Sequence, residues 1–213
     1  MGRRGDGDET AARVTPEPWM NQWEEKLAIA EAVQNWAFAR DFGDWDRLRA
    51  VFHPDGIMTS TRFTGPAEAF IANAAKNKTS RSTHFMGGTS ARLNGRKAIA
   101  ESRMILMSRT ALDGIEVDVT CYGRFYDRFV KHEGAWRILK RNAIYERDRI
   151  EPVRPGVALK LDEAELARFP EGYRYLAYVQ SKSGSKVDLG LPTPRSPALE
   201  QLYREGNQWL DAK

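Results

Sequence analysis

Three scarcities frame this 213-residue chain: one cysteine, three histidines, and no apolar run approaching the ~20 residues that a bilayer-spanning helix needs. Cys121 alone excludes an internal disulfide framework and a multi-cysteine zinc site. His53, His84 and His132 stand far apart, so their spacing forms no metal-binding signature and no metal is expected. Neither a glycine-rich phosphate loop nor a Gly-x-Ser-x-Gly elbow occurs. An excess of one charge is missing too. The 33 Lys and Arg meet 29 Asp and Glu, a formal net charge of +4, and the two signs interleave, as in Asp44-Trp45-Asp46-Arg47. Nucleic-acid binders gather basic residues on one face, so neither nucleic acid nor a membrane is an expected partner. Arg3-Arg4 has no apolar stretch behind it, so no secretory signal is read and a cytoplasmic location is expected.

Hydrophobic residues make up 41% of the chain, with six Trp, which is enough for a core. Residues 1–18, rich in Gly, Thr and charge, read as a disordered tail. From Trp19 a helical stripe runs through Trp23, Leu27, Ala30, Val33 or Gln34, and Ala37, with Gly43 at the C-cap position. Asp44 caps a short second helix, Trp45 to Phe52. A strand is expected over Ile57 to Phe63, and Gly65-Pro66 opens a third helix. Strands then dominate: His84 to Leu93 and Arg96 to Arg109 flank Asn94-Gly95, and Ile115 to Val130 follows Asp113-Gly114. The last of these alternates, with Cys121 among its apolar residues. Ala135 to Tyr145 completes an antiparallel meander. Gly87-Gly88 inside a strand marks a bulge. The pattern is that of an α+β domain over 19–150. The extension, 151–213, is expected to hold a helix, an aromatic strand-like piece at Tyr173 to Gln180, and a last helix. It is too apolar for a linker and is expected to pack on its own domain or, in slight preference, on a partner subunit.

With nucleophile and phosphate motifs absent, acid–base chemistry at one histidine remains. Cys121 reads as a small core residue. His53 and His132 read as solvent-facing. His84 opens a strand in an apolar setting, where an imidazole needs a partner for one ring nitrogen. Asp41, at the end of the first helix, is the available carboxylate, and such a partner would fix the tautomer. On spacing alone, a structural histidine and an unrelated aspartate fit as well as a dyad.

The segments Trp36-Ala37-Phe38-Ala39-Arg40-Asp41-Phe42-Gly43-Asp44-Trp45-Asp46-Arg47-Leu48-Arg49, Thr83-His84-Phe85-Met86-Gly87-Gly88-Thr89 and Gly134-Ala135-Trp136-Arg137-Ile138 resemble SnoaL-like members of the NTF2-like superfamily. The second is similar to the histidine strand of the scytalone dehydratases. The resemblance covers about Trp19 to Arg149. It implies a cone-shaped, curved antiparallel sheet packed on N-terminal helices around an apolar pocket, and a homo-oligomer, dimer or trimer. It also implies an Asp–His pair working without a cofactor: His84 as base and Asp41 as its orienting carboxylate, with Trp36, Phe38, Ser60 and Tyr122 lining the pocket. Departures from the scytalone pattern at Phe38, Met107, Ser60, Gly123 and Phe125 argue against scytalone itself. The function implied is a cofactor-independent lyase, a dehydratase or related elimination enzyme, acting on a small hydrophobic molecule. An isomerase or polyketide-cyclase using the same dyad, or a non-catalytic binding or assembly module, are the alternatives.

Overall fold

A computed structural model describes residues 18–76 and 81–212. The expected tail lies outside the described residues except for Pro18, which begins helix α1 (Pro18–Phe42). Helix α2 (Trp45–Val51) follows at once, its first turn capped by the Asp44 carboxylate, which accepts from the Arg47 N–H. Strand β1 (Phe52–Ser60), hairpin partner β2 (Phe63–Pro66) and helix α3 (Ala67–Lys76) lead to four long strands: β3 (Arg81–Asn94), β4 (Lys97–Leu112), β5 (Ile115–His132) and β6 (Ala135–Pro152). The extension adds α4 (Glu163–Leu166), α5 (Arg174–Lys182) and α6 (Pro197–Asp211).

The six strands form one curved sheet in the order β2-β1-β6-β5-β4-β3. It is mixed, whereas the sequence predicts antiparallel pairing throughout, because β1 runs parallel to β6. A parallel pair needs a crossover, which a strand-by-strand reading does not look for; here everything between β1 and β6 supplies it. The strand expected at Ile57 also starts earlier, at Phe52, and takes His53 out of the helix end. The expected bulge is present: the β3–β4 register shifts between Met86 and Thr89, around Gly87-Gly88.

Alternation along the long strands separates two apolar layers. On one face Phe125, Phe129, Ile138 and Cys121 join Ile29, Val33 and Trp36 of α1 and Leu176 and Ala177 of α5. On the other, Ile99, Tyr126 and Ile144 meet Leu199, Leu202 and Leu210 of α6. The buried face of α1 matches the stripe read in the sequence at Val33 and Ala37 but not at its start, since Trp23 and Leu27 are exposed. Apolar residues surround the helix, so its own pattern does not choose a side. Glu25 contributes to the choice: its carboxylate accepts from Lys131 Nζ and Trp136 Nε1, on the side of the helix where Ile29, Val33 and Trp36 turn inward.

Beneath Trp36 lies a fully buried ion pair. Arg141 donates to Asp127 through Nε at 2.8 Å and Nη2 at 2.6 Å, directly across the β5–β6 ladder. Its guanidinium sits 4.3 Å from the Phe125 ring centroid and 4.5 Å from that of Trp36.

The extension folds back onto its own sheet, one of the two placements the sequence leaves open. Gly172 and Gly206 lie where a Cβ would strike the Tyr145 carbonyl and the Tyr126 hydroxyl, so both backbones approach the sheet closely. The strand expected at Tyr173 to Gln180 is helical. Its aromatic and β-branched residues favour strands locally, but Tyr173, Leu176, Ala177 and Gln180 fall at helical spacing and are all buried. Asp148 of β6 caps this helix, accepting from the Leu176 N–H at 2.7 Å.

Removing one member of the buried ion pair strands a charge. Asp127→Ala is therefore expected to destabilise the fold by about 3–5 kcal/mol in denaturant titrations, with a smaller loss for Asp127→Ala/Arg141→Met. Burial raises the Asp148 carboxyl to about 6, the helix backbone N–H groups pulling the other way. That lies above an unfolded aspartate at about 4, so protonation favours the folded state. The contribution is complete below the unfolded value and is lost as pH rises through about 6. Melting curves of wild type minus those of Asp148→Asn should show wild type losing relative stability between pH ~4 and ~6.

Candidate functional site

Two anchors set α1 against β3. Gln34 donates to the Met86 carbonyl at 3.3 Å, and two turns later Asp41 reaches His84. Both Asp41 oxygens are engaged. Oδ2 accepts from the His84 backbone N–H at 2.6 Å, and Oδ1 lies 2.7 Å from His84 Nδ1. The side chains are 11% and 10% exposed, so the pair is shielded from bulk water. With Asp41 ionised, Nδ1 carries the proton, and Nε2 is left as the basic nitrogen. Nε2 is the ring nitrogen that Asp41 does not engage. The Trp36 ring meets the imidazole edge-on, 5.1 Å between centroids and 79° between planes, which holds the ring in its plane.

His84 forms part of the wall of a cavity of about 90 Å³. Trp36, Met58, Met104, Leu106, Phe125 and Tyr145 supply its apolar surface; Ser60, Thr61, Ser82 and Gln180 add polar groups, and Arg40 and Arg62 stand with Phe70. Burial raises the Tyr145 hydroxyl above its ordinary range against the pull of a hydrogen bond with Thr61. Gln180 Oε1 and Trp36 Nε1 are buried with no hydrogen-bond partner among the described residues. Six other buried side-chain polar atoms share that state, among them Tyr126 Oη and Arg141 Nη1, so it is the position of these two residues on the cavity wall, beside His84, that bears on ligand binding.

The structure thus brings Asp41, His84, Trp36 and Ser60 together. Phe38 and Tyr122 lie elsewhere. Two residues along a helix are about 200° apart, so Trp36 and Phe38 cannot share a face. Phe38 is 51% exposed and stacks on Phe42. Tyr122 follows Cys121 on a strand and so faces the other side of the sheet, where it stacks under the Arg147 guanidinium at 4.7 Å. Cys121 is fully buried, its thiol pushed well above its ordinary value by burial, which suits the core role read for it. His53 and His132 are less solvent-facing than expected: their rings meet edge-on, 4.7 Å apart.

Sequence reasoning missed Arg40, Arg62, Phe70, Tyr145 and Gln180 at the cavity, and the Asp127–Arg141 pair behind it. The pair left a signal, since Asp127 is an acid at an inward position of an otherwise apolar alternation. Gln180 left none, because its segment was read as a strand.

A helix-backed curved sheet with an acid-paired imidazole facing a small cavity is an architecture shared with known proteins. Residues 21–142 match the SnoaL-like domain. The chain belongs to the SnoaL-like family. A PEP2-like protein of Fusarium vanettenii is 34% identical over 203 residues, covering 89% of this chain and 87% of that protein. Pea pathogenicity protein 2 of the same fungus is 30% identical over the same shares. Among solved structures, a candidate scytalone dehydratase from Novosphingobium aromaticivorans superposes with a TM-score of 0.55 at 19% identity, over 66% of this chain and 99% of that one. A hexachlorocyclohexane dehydrochlorinase superposes with a TM-score of 0.54 at 12% identity, over 67% and 97%. These two likenesses are of fold. Among the described residues, no helix is long and apolar enough to cross a membrane.

The Asp41 geometry makes a spectroscopic prediction. Long-range proton–nitrogen spectra should find His84 as the Nδ1–H tautomer, and Asp41→Ala should redistribute it toward Nε2–H.

Proposed function

We propose that the protein is a cofactor-independent lyase, a dehydratase or related elimination enzyme, acting on a small and largely apolar molecule. One observation carries this reading: the Asp41–His84 hydrogen bond on the wall of a cavity with unsatisfied polar atoms. Asp41 would hold the ring and stabilise the imidazolium formed on proton uptake. Nε2 would take a proton from the carbon beside an activating carbonyl. The electron pair released becomes the new carbon–carbon double bond, and hydroxide or another anion leaves the neighbouring carbon. Where hydroxide leaves, the imidazolium returns the proton to it, so the balance is loss of one water and a restored base. The apolar walls keep solvent from competing for that proton.

A general base of this kind supplies about 10²–10⁴-fold in rate. In a mass-resolved screen of small β-hydroxy carbonyl compounds, turnover should give a product lighter by one water. His84→Ala should lower it by about 10²–10⁴-fold and Asp41→Asn by a comparable factor. A product of unchanged mass would mean isomerisation at the same dyad. Turnover indifferent to both substitutions would end the proposal.

A further inference from the structure

The chamber at His84 is small for a whole substrate. Sites for small organic ligands occupy about 300–1,000 Å³, and this one measures about 90 Å³. It does not end there. Arg40, Ser60, Arg62 and Phe70 line both this chamber and a second cleft of about 370 Å³ that reaches Phe63, Asn73 and Lys186. A molecule entering the chamber would therefore leave its remainder in the cleft.

The cleft is of one sign. Arg40, Arg62 and Lys186 line it, and no Asp or Glu does among the described residues. Elsewhere the chain pairs its cations freely: Arg49 with Asp46 and Glu68, Arg109 with Asp118, Arg124 with Glu101, Lys182 with Glu165. None of the three cleft cations forms an ion pair within the described residues. Arg40 is the telling one, because it is half-buried and lies 5.9 Å over the Phe70 ring. Burial depresses its pKa, Asp41 opposes that, and Arg62 adds to it. The neighbouring Asp41 does not satisfy it by contact, since both carboxylate oxygens accept from His84. A partly desolvated guanidinium with no anion is unfavourable, and its planar fork matches a carboxylate.

We propose that the substrate is a largely apolar carboxylic acid whose carboxylate binds Arg40 and Arg62 in the cleft, with Lys186 adding long-range attraction, while the end that carries the activating carbonyl reaches the chamber beside His84. This assignment rests on the lyase reading of the same site and names its substrate class. Arg40 and Arg62 are thereby specificity-determining residues at the join of chamber and cleft.

Cinnamate and cinnamamide, alike in shape and different in charge, test it by calorimetry on the full chain without any need for turnover. Cinnamate should bind at least about tenfold more tightly, with the preference shrinking as salt rises. Arg40→Gln should remove most of that preference, and the exposed Arg62→Gln, which leaves the packing intact, should reduce it a few-fold. Arg40→Gln should melt no lower than wild type, since it removes an unpaired charge. His84→Ala should leave the preference in place, which separates a failed lyase reading from a failed carboxylate site. Equal affinity for the two compounds, no binding of cinnamate up to its solubility, or a preference untouched by both arginine substitutions would overturn the proposal.

Discussion

The seating of α1 on the sheet depends on a buried charge. Asp127 and Arg141 face each other across β5 and β6 with no exposure to solvent, and the guanidinium lies against the rings of Trp36 and Phe125. A pair of this kind adds little to stability over an apolar substitute, yet it tolerates few geometries. Trp36 must lie over the guanidinium, which fixes the rotation of the helix about its axis. Asp41 comes five residues later on the same rigid helix. Its carboxylate therefore arrives at His84 because Trp36 is seated, and the Trp36 ring also meets the imidazole edge-on. Glu25 near the start of the helix and Gln34 in its middle act in the same sense. What looks like a two-residue site is one end of a lever whose fulcrum is an ion pair.

The extension is part of the site. Asp148 caps α5 and holds it on β6, and α5 carries Gln180 to the cavity. Tyr145 is drawn into the same arrangement, its backbone N–H donating to the Pro192 carbonyl of the extension at 3.1 Å. Lys186, just past α5, lines the outer cleft. Trimmed to the 21–142 match, the chain would lack a wall of its cavity as well as the outer face of its sheet, where α6 places Tyr203 on Glu101 and Arg124. The two curated Fusarium relatives align over 89% of this chain, so the likeness to them reaches beyond the 21–142 match.

Much of this was legible in the residues. Asn94-Gly95, Asp113-Gly114 and Glu133-Gly134 locate three turns, because left-handed backbone is cheap only for glycine and a few polar residues, and each glycine has positive φ. The apolar alternation of Ile115 to Phe129 fixes which face of β5 is core and puts Cys121 inside. Asp41 and His84 were legible as a pair only through resemblance to a family, since 43 residues separate them and spacing alone leaves both readings open. Phe38 and Tyr122 were assigned to the pocket by the resemblance alone, while helix and strand periodicity send them to faces away from His84.

The sequence by itself determined the α+β class, the turns of the meander, the shortage of candidate bases and the inward face of the Ile115 to Val130 strand, all of which are local properties of backbone and side chain. Only the tertiary structure decided the parallel β1–β6 pair, the helical state of residues 174–182, the buried face of α1, and the meeting of Arg40, Arg62 and Lys186 around one cleft. These depend on contacts between segments distant in sequence, from 28 residues for Asp148 and Leu176 to 111 for Glu25 and Trp136, where the free energy lies in burial and charge pairing that no local pattern encodes.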